Sequence, residues 1–127
     1  MSFVTDICFT ISASEKWNWI IIVLYPTYYQ EAKIMHEKSI ELLNKAVAEE
    51  MFAVHQYMYF HVHCDDQGYD LIAGLFKRTA IQEMLHIEEL SERILFLKGD
   101  VEMVASQEVK KIQDVRAMLE MAAQMEA

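Results

Sequence analysis

Between Leu43 and Cys64 the apolar positions keep one rhythm: Leu43, Val47, Glu50, Val54, Tyr57, His61 and Cys64 recur at intervals of four and three. That alternation puts all seven on one face of an α-helix and predicts a helix over about 37–64. A second stripe, Ile72, Phe76, Thr79, Glu83, His86, Leu90, Ile94 (or Arg93) and Leu97, obeys the same rule and predicts a helix over about 69–98. Asp65-Asp66-Gln67-Gly68 is the turn between them, and Gly99 is expected to end the second helix as its left-handed residue. At about 1.5 Å per residue each helix is about 40 Å long. The short turn makes them antiparallel neighbours.

Residues 100–113 read as a less regular connection. Asp114 then reads as the N-cap of a third helix carrying Val115, Met118, Leu119, Ala122 and Met125, which runs only to the end of the sequence. The expected architecture is all-α: an antiparallel helical bundle that is incomplete, with a hairpin and the start of a third helix. Its exposed apolar stripe predicts self-association.

Upstream of Met35 the character changes. SFVTDICFTIS and WNWIIIVLYPTYY are rich in β-branched and aromatic residues and hold both Trp and the single Pro26. From Met35 onward, strong helix formers dominate. Residues 1–34 are therefore expected to be a leader outside the fold, with 35–127 as the folded domain and Met35 as an alternative start. Any helix in the leader should be irregular at Leu24-Tyr25, just before Pro26. The competing expectation is that Trp17 to Tyr25 covers a bare face of the bundle.

Composition narrows the function. Of 127 residues, 54% are apolar and 24% charged, which excludes disorder, and three Gly with one Pro are too few for a turn-rich β fold. The net charge of −9 argues against nucleic acid and suits cationic ligands. Cys8 and Cys64 form no CxxC pair, and the apolar run Trp19–Tyr25 is far shorter than the ~20 residues that cross a bilayer. A soluble cytoplasmic protein that engages neither nucleic acid nor membrane is expected.

Ionisable groups interrupt both stripes at mid-length. Glu50 sits between Val47 and Val54, and Glu83 and His86 between Phe76 and Leu90. A carboxylate in a bundle core costs several kcal/mol unless a partner, a proton or a metal compensates it. Glu50 and Glu83 each lie about fifteen residues from the turn, so the antiparallel pairing brings them to one height. Glu83-Met84-Leu85-His86 is an ExxH motif, whose spacing puts carboxylate and imidazole on one face. Alone it is a weak signal that a simple Glu–His hydrogen bond explains better; Glu50 on the facing stripe favours a metal. Carboxylates with one imidazole suit iron or manganese better than zinc. His61-Val62-His63-Cys64 is expected to be incidental, because positions i and i+2 do not face each other on a helix. His55 falls off the inward face, and Glu88, Glu89 and Glu92 read as a solvated surface.

LNKAVAEEMFAVHQY (43–57), QEMLH (82–86) and SERILFLKG (91–99) resemble the first two helices of bacterioferritin, in order and at the family spacing from Leu43 to about Glu126. The resemblance implies a ferritin-like bundle that oxidises Fe²⁺ with O₂ or peroxide at a carboxylate-bridged di-iron centre and stores the ferric product in a homo-oligomer. It implies Glu50 as a terminal ligand, Glu83 as a bridge, His86 as the imidazole ligand, Glu126 as the terminal carboxylate of the second iron, and Tyr57 beside the centre. Met84 would ligate haem b between two subunits; the plain alternative is an adaptable hydrophobe in an interface. The family continues into a fourth helix with a second ExxH, whereas this sequence supplies four of the six usual ligands. The expectation is a fragment, or two chains that pool their ligands. A rubrerythrin-like peroxidase would need four clustered cysteines, and a non-catalytic dimerisation module would leave Glu50, Glu83 and His86 merely hydrogen-bonded.

Overall fold

The computed structural model describes the backbone of residues 13–126 and the side chains of 35–126. Three helices and no strand are found among them: α1 (Ala13–Asp66), α2 (Asp70–Phe96) and α3 (Val115–Met125). The chain divides into two units, Met1–Lys38 and Ser39–Ala127. Helix α1 starts at Ala13, well before the position expected from periodicity, and runs through Pro26. A proline removes one backbone donor, and a long helix can absorb that loss locally. Cys8 lies outside the described residues, as do the side chains of Trp17 to Tyr25.

Within Ser39–Ala127, both helix ends of the hairpin close in the same way. At the turn, Gly68 takes φ 81° while the N–H of Tyr69 reaches the Cys64 carbonyl at 2.9 Å and that of Gly68 reaches Asp65 at 3.0 Å. These bonds satisfy carbonyls that the helix end leaves free. At the end of α2 the pattern repeats: Gly99 N–H donates to Ile94 and Lys98 N–H to Leu95, both at 3.0 Å. Here the left-handed residue is Lys98, at φ 63°, which corrects the expectation for Gly99. Gly99 is needed for a different reason. A Cβ there would come within 2.7 Å of Ile40 Cγ2, so the chain leaves α2 pressed against α1.

The core lies between the three helices. Tyr57, Phe60 and Cys64 of α1, Ala73, Phe76 and Ala80 of α2, and Met118 and Met121 of α3 are buried together. Phe76 stacks on Tyr57 (centroids 6.0 Å apart, planes at 22°) and meets Phe60 at 5.2 Å. The expected α1 stripe forms part of this interior, with Val47, Tyr57 and Cys64 buried. It is joined by a second stripe that periodicity did not single out: Asn44, Phe52, Gln56 and Phe60 are also buried.

Between α2 and α3 the chain forms a strap along α1. Asn44 donates to the Asp100 carbonyl and accepts from Glu102 N–H, both at 2.9 Å. Ser106 N–H reaches the Ala48 carbonyl at 2.9 Å. Gln56 donates to the Lys110 carbonyl at 3.0 Å and accepts from Lys110 N–H at 2.8 Å. Gln67 donates to the Gln113 carbonyl at 2.9 Å. The strap therefore ascends α1 from Asn44 to the turn and delivers α3 there, capped by Asp114, whose carboxylate accepts from Ala117 N–H at 2.8 Å. Helix α3 then descends antiparallel to α1, from Met118 against Cys64 (3.4 Å between sulfurs) to Glu126 against Tyr57.

Candidate metal centre

Glu50, Glu83 and His86 converge. One ligand atom of each lies within 4.8 Å of the other two, and they are the one such group of three among the described residues. The antiparallel hairpin produces the meeting, since Glu50 and Glu83 lie equally far from its turn. Glu83 is the most enclosed, its side chain 11% exposed, and its Oε2 is 2.7 Å from His86 Nδ1. The same Nδ1 is 3.7 Å from Glu50 Oε1. His86 itself is half-exposed at 52%, more open than its place on the inward stripe suggested. It lines the cavity shared with Met125 and Glu126 at the end of α3.

Two further predicted residues lie at the edge of this cluster. Glu126, the C-cap of α3, accepts a hydrogen bond from the buried Tyr57 hydroxyl at 2.6 Å. A cavity of about 440 Å³ is lined by Glu50, Glu83, His86 and Glu126 together with Gln107 and Met125. Met84, next to Glu83, is exposed and outside the cluster. His61 and Cys64 do not form a site: His61 Nδ1 is 2.9 Å from the Ala73 carbonyl, and Cys64 is buried against Met118. The His63 ring packs on Tyr59, with centroids 4.3 Å apart.

The electrostatics follow from crowding acids in a partly dry place. Burial pushes the Glu50 carboxyl up to about 7 from an ordinary 4.5, the hydrogen bond and charge of Glu83 add to it, and the His86 ring partly offsets them. Burial and the hydrogen bond to Glu126 hold the Tyr57 phenol well above its usual value, so Tyr57 remains a donor. Such a set accommodates either a proton or a cation. Two hard oxygen donors and one imidazole, with an open side, fit iron or manganese.

Glu50 also ties stability to pH. Between about 4.5 and about 7 the native protein holds a proton on Glu50 that the unfolded chain has released, so raising the pH through that window costs stability. Glu50→Gln is therefore expected to raise the melting temperature of the metal-free protein at about pH 8 and to have little effect at about pH 5. Melting curves of the two proteins that stay parallel across the window would rule out a crowded, protonated Glu50.

Periodicity did not reveal Asn44 and Gln56, which fix the strap and through it α3. The available signal was the spacing of four along 44, 48, 52, 56 and 60, a second stripe beside the first.

The all-α hairpin, the long strap, the returning third helix and the mid-bundle carboxylate–imidazole cluster define a class, and comparison agrees. Residues 40–127 match the family described as Ferritin-like domain, and the chain belongs to that family. Within it the similarity is to bacterioferritins. The chain is 49% identical over 63 residues to bacterioferritin of Desulfovibrio desulfuricans, covering 50% of this chain and 35% of that one. It is 34% identical over 83 residues to bacterioferritin of Brucella melitensis, covering 65% and 52%. Among solved structures, D. desulfuricans bacterioferritin, a protein described with a diiron site in different catalytic states, matches with a TM-score of 0.73. The two are 39% identical, over 75% of this chain and 56% of that one. The chain thus spans between about a third and about half the length of these relatives. The fold is an all-helical ferritin-like bundle, as the sequence reading expected.

Proposed function

We propose that this chain serves iron oxidation and storage, with Fe²⁺ as substrate and O₂ or peroxide as oxidant. The observation that carries the reading is the convergence of Glu50, Glu83 and His86 within 4.8 Å in a chain of the ferritin-like family. Two mid-bundle acids held this close favour a cation between them, and hard carboxylates stabilise Fe³⁺ over Fe²⁺. In this reading Glu50 is a terminal ligand, Glu83 a bridge and His86 the imidazole ligand. Glu126 supplies the carboxylate of a second iron, and Tyr57 orients Glu126. The net charge of −9 draws cations toward the protein. Anaerobic Fe²⁺ titration of the protein followed by admission of air tests the reading. Saturable binding and fast oxidation support it, and a titration no different from buffer overturns it.

The finer parts of the proposal follow the bacterioferritin likeness: a cytoplasmic homo-oligomer with a di-iron centre. Among the described residues no helix is long and apolar enough to cross a membrane. The exposed Met84 offers a thioether to haem b between two subunits, where such a ligand tunes the potential of the haem. Haem-reconstituted protein is then expected to show a haem absorption band that Met84→Ala lacks; bands of equal intensity would remove Met84 from that role.

We also propose residues 1–34 as a leader outside the bundle, a reading supported by the division of the chain at Lys38/Ser39. Deleting 1–34 is expected to leave the melting temperature of the remaining domain unchanged, and a large drop would make the leader part of the core.

A further inference from the structure

Gln56 carries an arrangement that the iron chemistry does not use. Its carboxamide is fully buried, and both of its polar ends are spent on one residue of the strap: Nε2 donates to the Lys110 carbonyl and Oε1 accepts from Lys110 N–H. This is the pairing one strand offers another, made here by a side chain. Only residues 111–113 separate that anchor from Asp114, the cap of α3. From Asp114 a rigid helix of 11 residues leads to Glu126, whose carboxylate returns to Tyr57, the neighbour of Gln56 on α1. Gln56, the strap, α3, Glu126 and Tyr57 therefore form a closed mechanical ring.

We propose that Gln56 is a positioning residue that sets the register of α3 on α1 and thereby holds Glu126 against the Tyr57 hydroxyl at the edge of the Glu50–Glu83–His86 cluster. Its bearing on iron rests on the function proposed above, whereas the geometry stands without iron. Apolar packing of α3, through Met118 and Met121, is non-directional and does not pair a particular strap residue with α1. A slip of one residue at Lys110 would instead leave a buried amide donor and acceptor unpaired, the costly case for hydrogen bonds. Asn44 clamps the strap with an equivalent pair of bonds, but at Asp100 and Glu102, with the whole span 103–113 between it and α3. That span makes Asn44 an anchor of the strap. Nearer α3 lie the solvent-exposed single bond from Gln67 to the Gln113 carbonyl and the Gln56 pair, and it is the buried Gln56 pair that engages both a donor and an acceptor of the strap.

The two amides separate a positioning role from a merely structural one. The readout is the ¹³Cζ resonance of Tyr57 in the metal-free full chain labelled at tyrosine, assigned with Tyr57→Phe. Its position without the hydrogen bond is taken from Glu126→Ala. Gln56→Leu is expected to move the resonance to that position. Asn44→Leu, which removes the other clamp, is expected to leave it unmoved. Lys110→Pro removes the donor from the strap side and is expected to move it in the same direction as Gln56→Leu. If Gln56→Leu does not fold, Lys110→Pro decides. An unmoved resonance in either folded variant, or an equal displacement in Asn44→Leu, overturns the proposal. Because no metal is present, failure of Fe²⁺ binding would sink the iron reading and leave this result intact.

Discussion

Glu83→Ala is expected to abolish rapid Fe²⁺ oxidation, whereas Glu92→Ala on the exposed side of the same helix is expected to leave it unchanged. Glu83 is the central and most enclosed member of the cluster, bonded to His86 Nδ1 at 2.7 Å and adjacent to Glu50. Without it, Glu50 and His86 remain 3.7 Å apart with no carboxylate to link two ions. Loss of outer groups around a metal site costs 10–100-fold as a rule of thumb, so if Glu83 is the bridging ligand proposed above, its removal is expected to cost at least about 100-fold. The fold should survive, because the change also removes the negative charge that crowds Glu50. Initial rates of Fe³⁺ formation, measured with each variant's melting temperature, check this. Equal rates in Glu83→Ala and Glu92→Ala would refute the assignment of the cluster as the site of oxidation.

The parts of this molecule that could be read from sequence are those governed by a repeating spacing. The α1 stripe through Val47, Tyr57 and Cys64 and the α2 stripe through Phe76, Glu83 and Ile94 both face the interior, because a helix buries what recurs every three or four residues. Glu50, Glu83 and His86 were visible as candidates because ionisable groups are costly in such stripes. Asp114 was visible because a capping side chain has a local signature, and the structure shows its bond to Ala117. What escaped depends on chain segments far apart in sequence. Asn44 and Gln56 take their backbone partners from a strap more than fifty residues away, and no local spacing announces that. The close approach of Ile40, on another helix, to Gly99 is likewise invisible in the local sequence.

Phe76, in the middle of the buried aromatic cluster, is a position of large consequence for stability. Phe76→Ala is expected to destabilise the bundle by about 3–5 kcal/mol, the range for truncating a buried aromatic ring. Phe76 is 1% exposed and is held between the rings of Tyr57 and Phe60. Its removal forfeits the buried area, two aromatic contacts and the support beneath Tyr57, and the helices on either side cannot close the gap without shifting the hairpin. Against a total stability of about 5–15 kcal/mol for a domain, the variant is expected to be largely unfolded or to melt far lower. Leu75→Ala, one residue away but 46% exposed, is the control and is expected to change stability by less than about 1 kcal/mol. Chemical denaturation of both variants measures the difference. If Phe76→Ala costs no more than Leu75→Ala, the ring is not packed as described. The position of Tyr57, and with it the placement of Glu126, would then need another support.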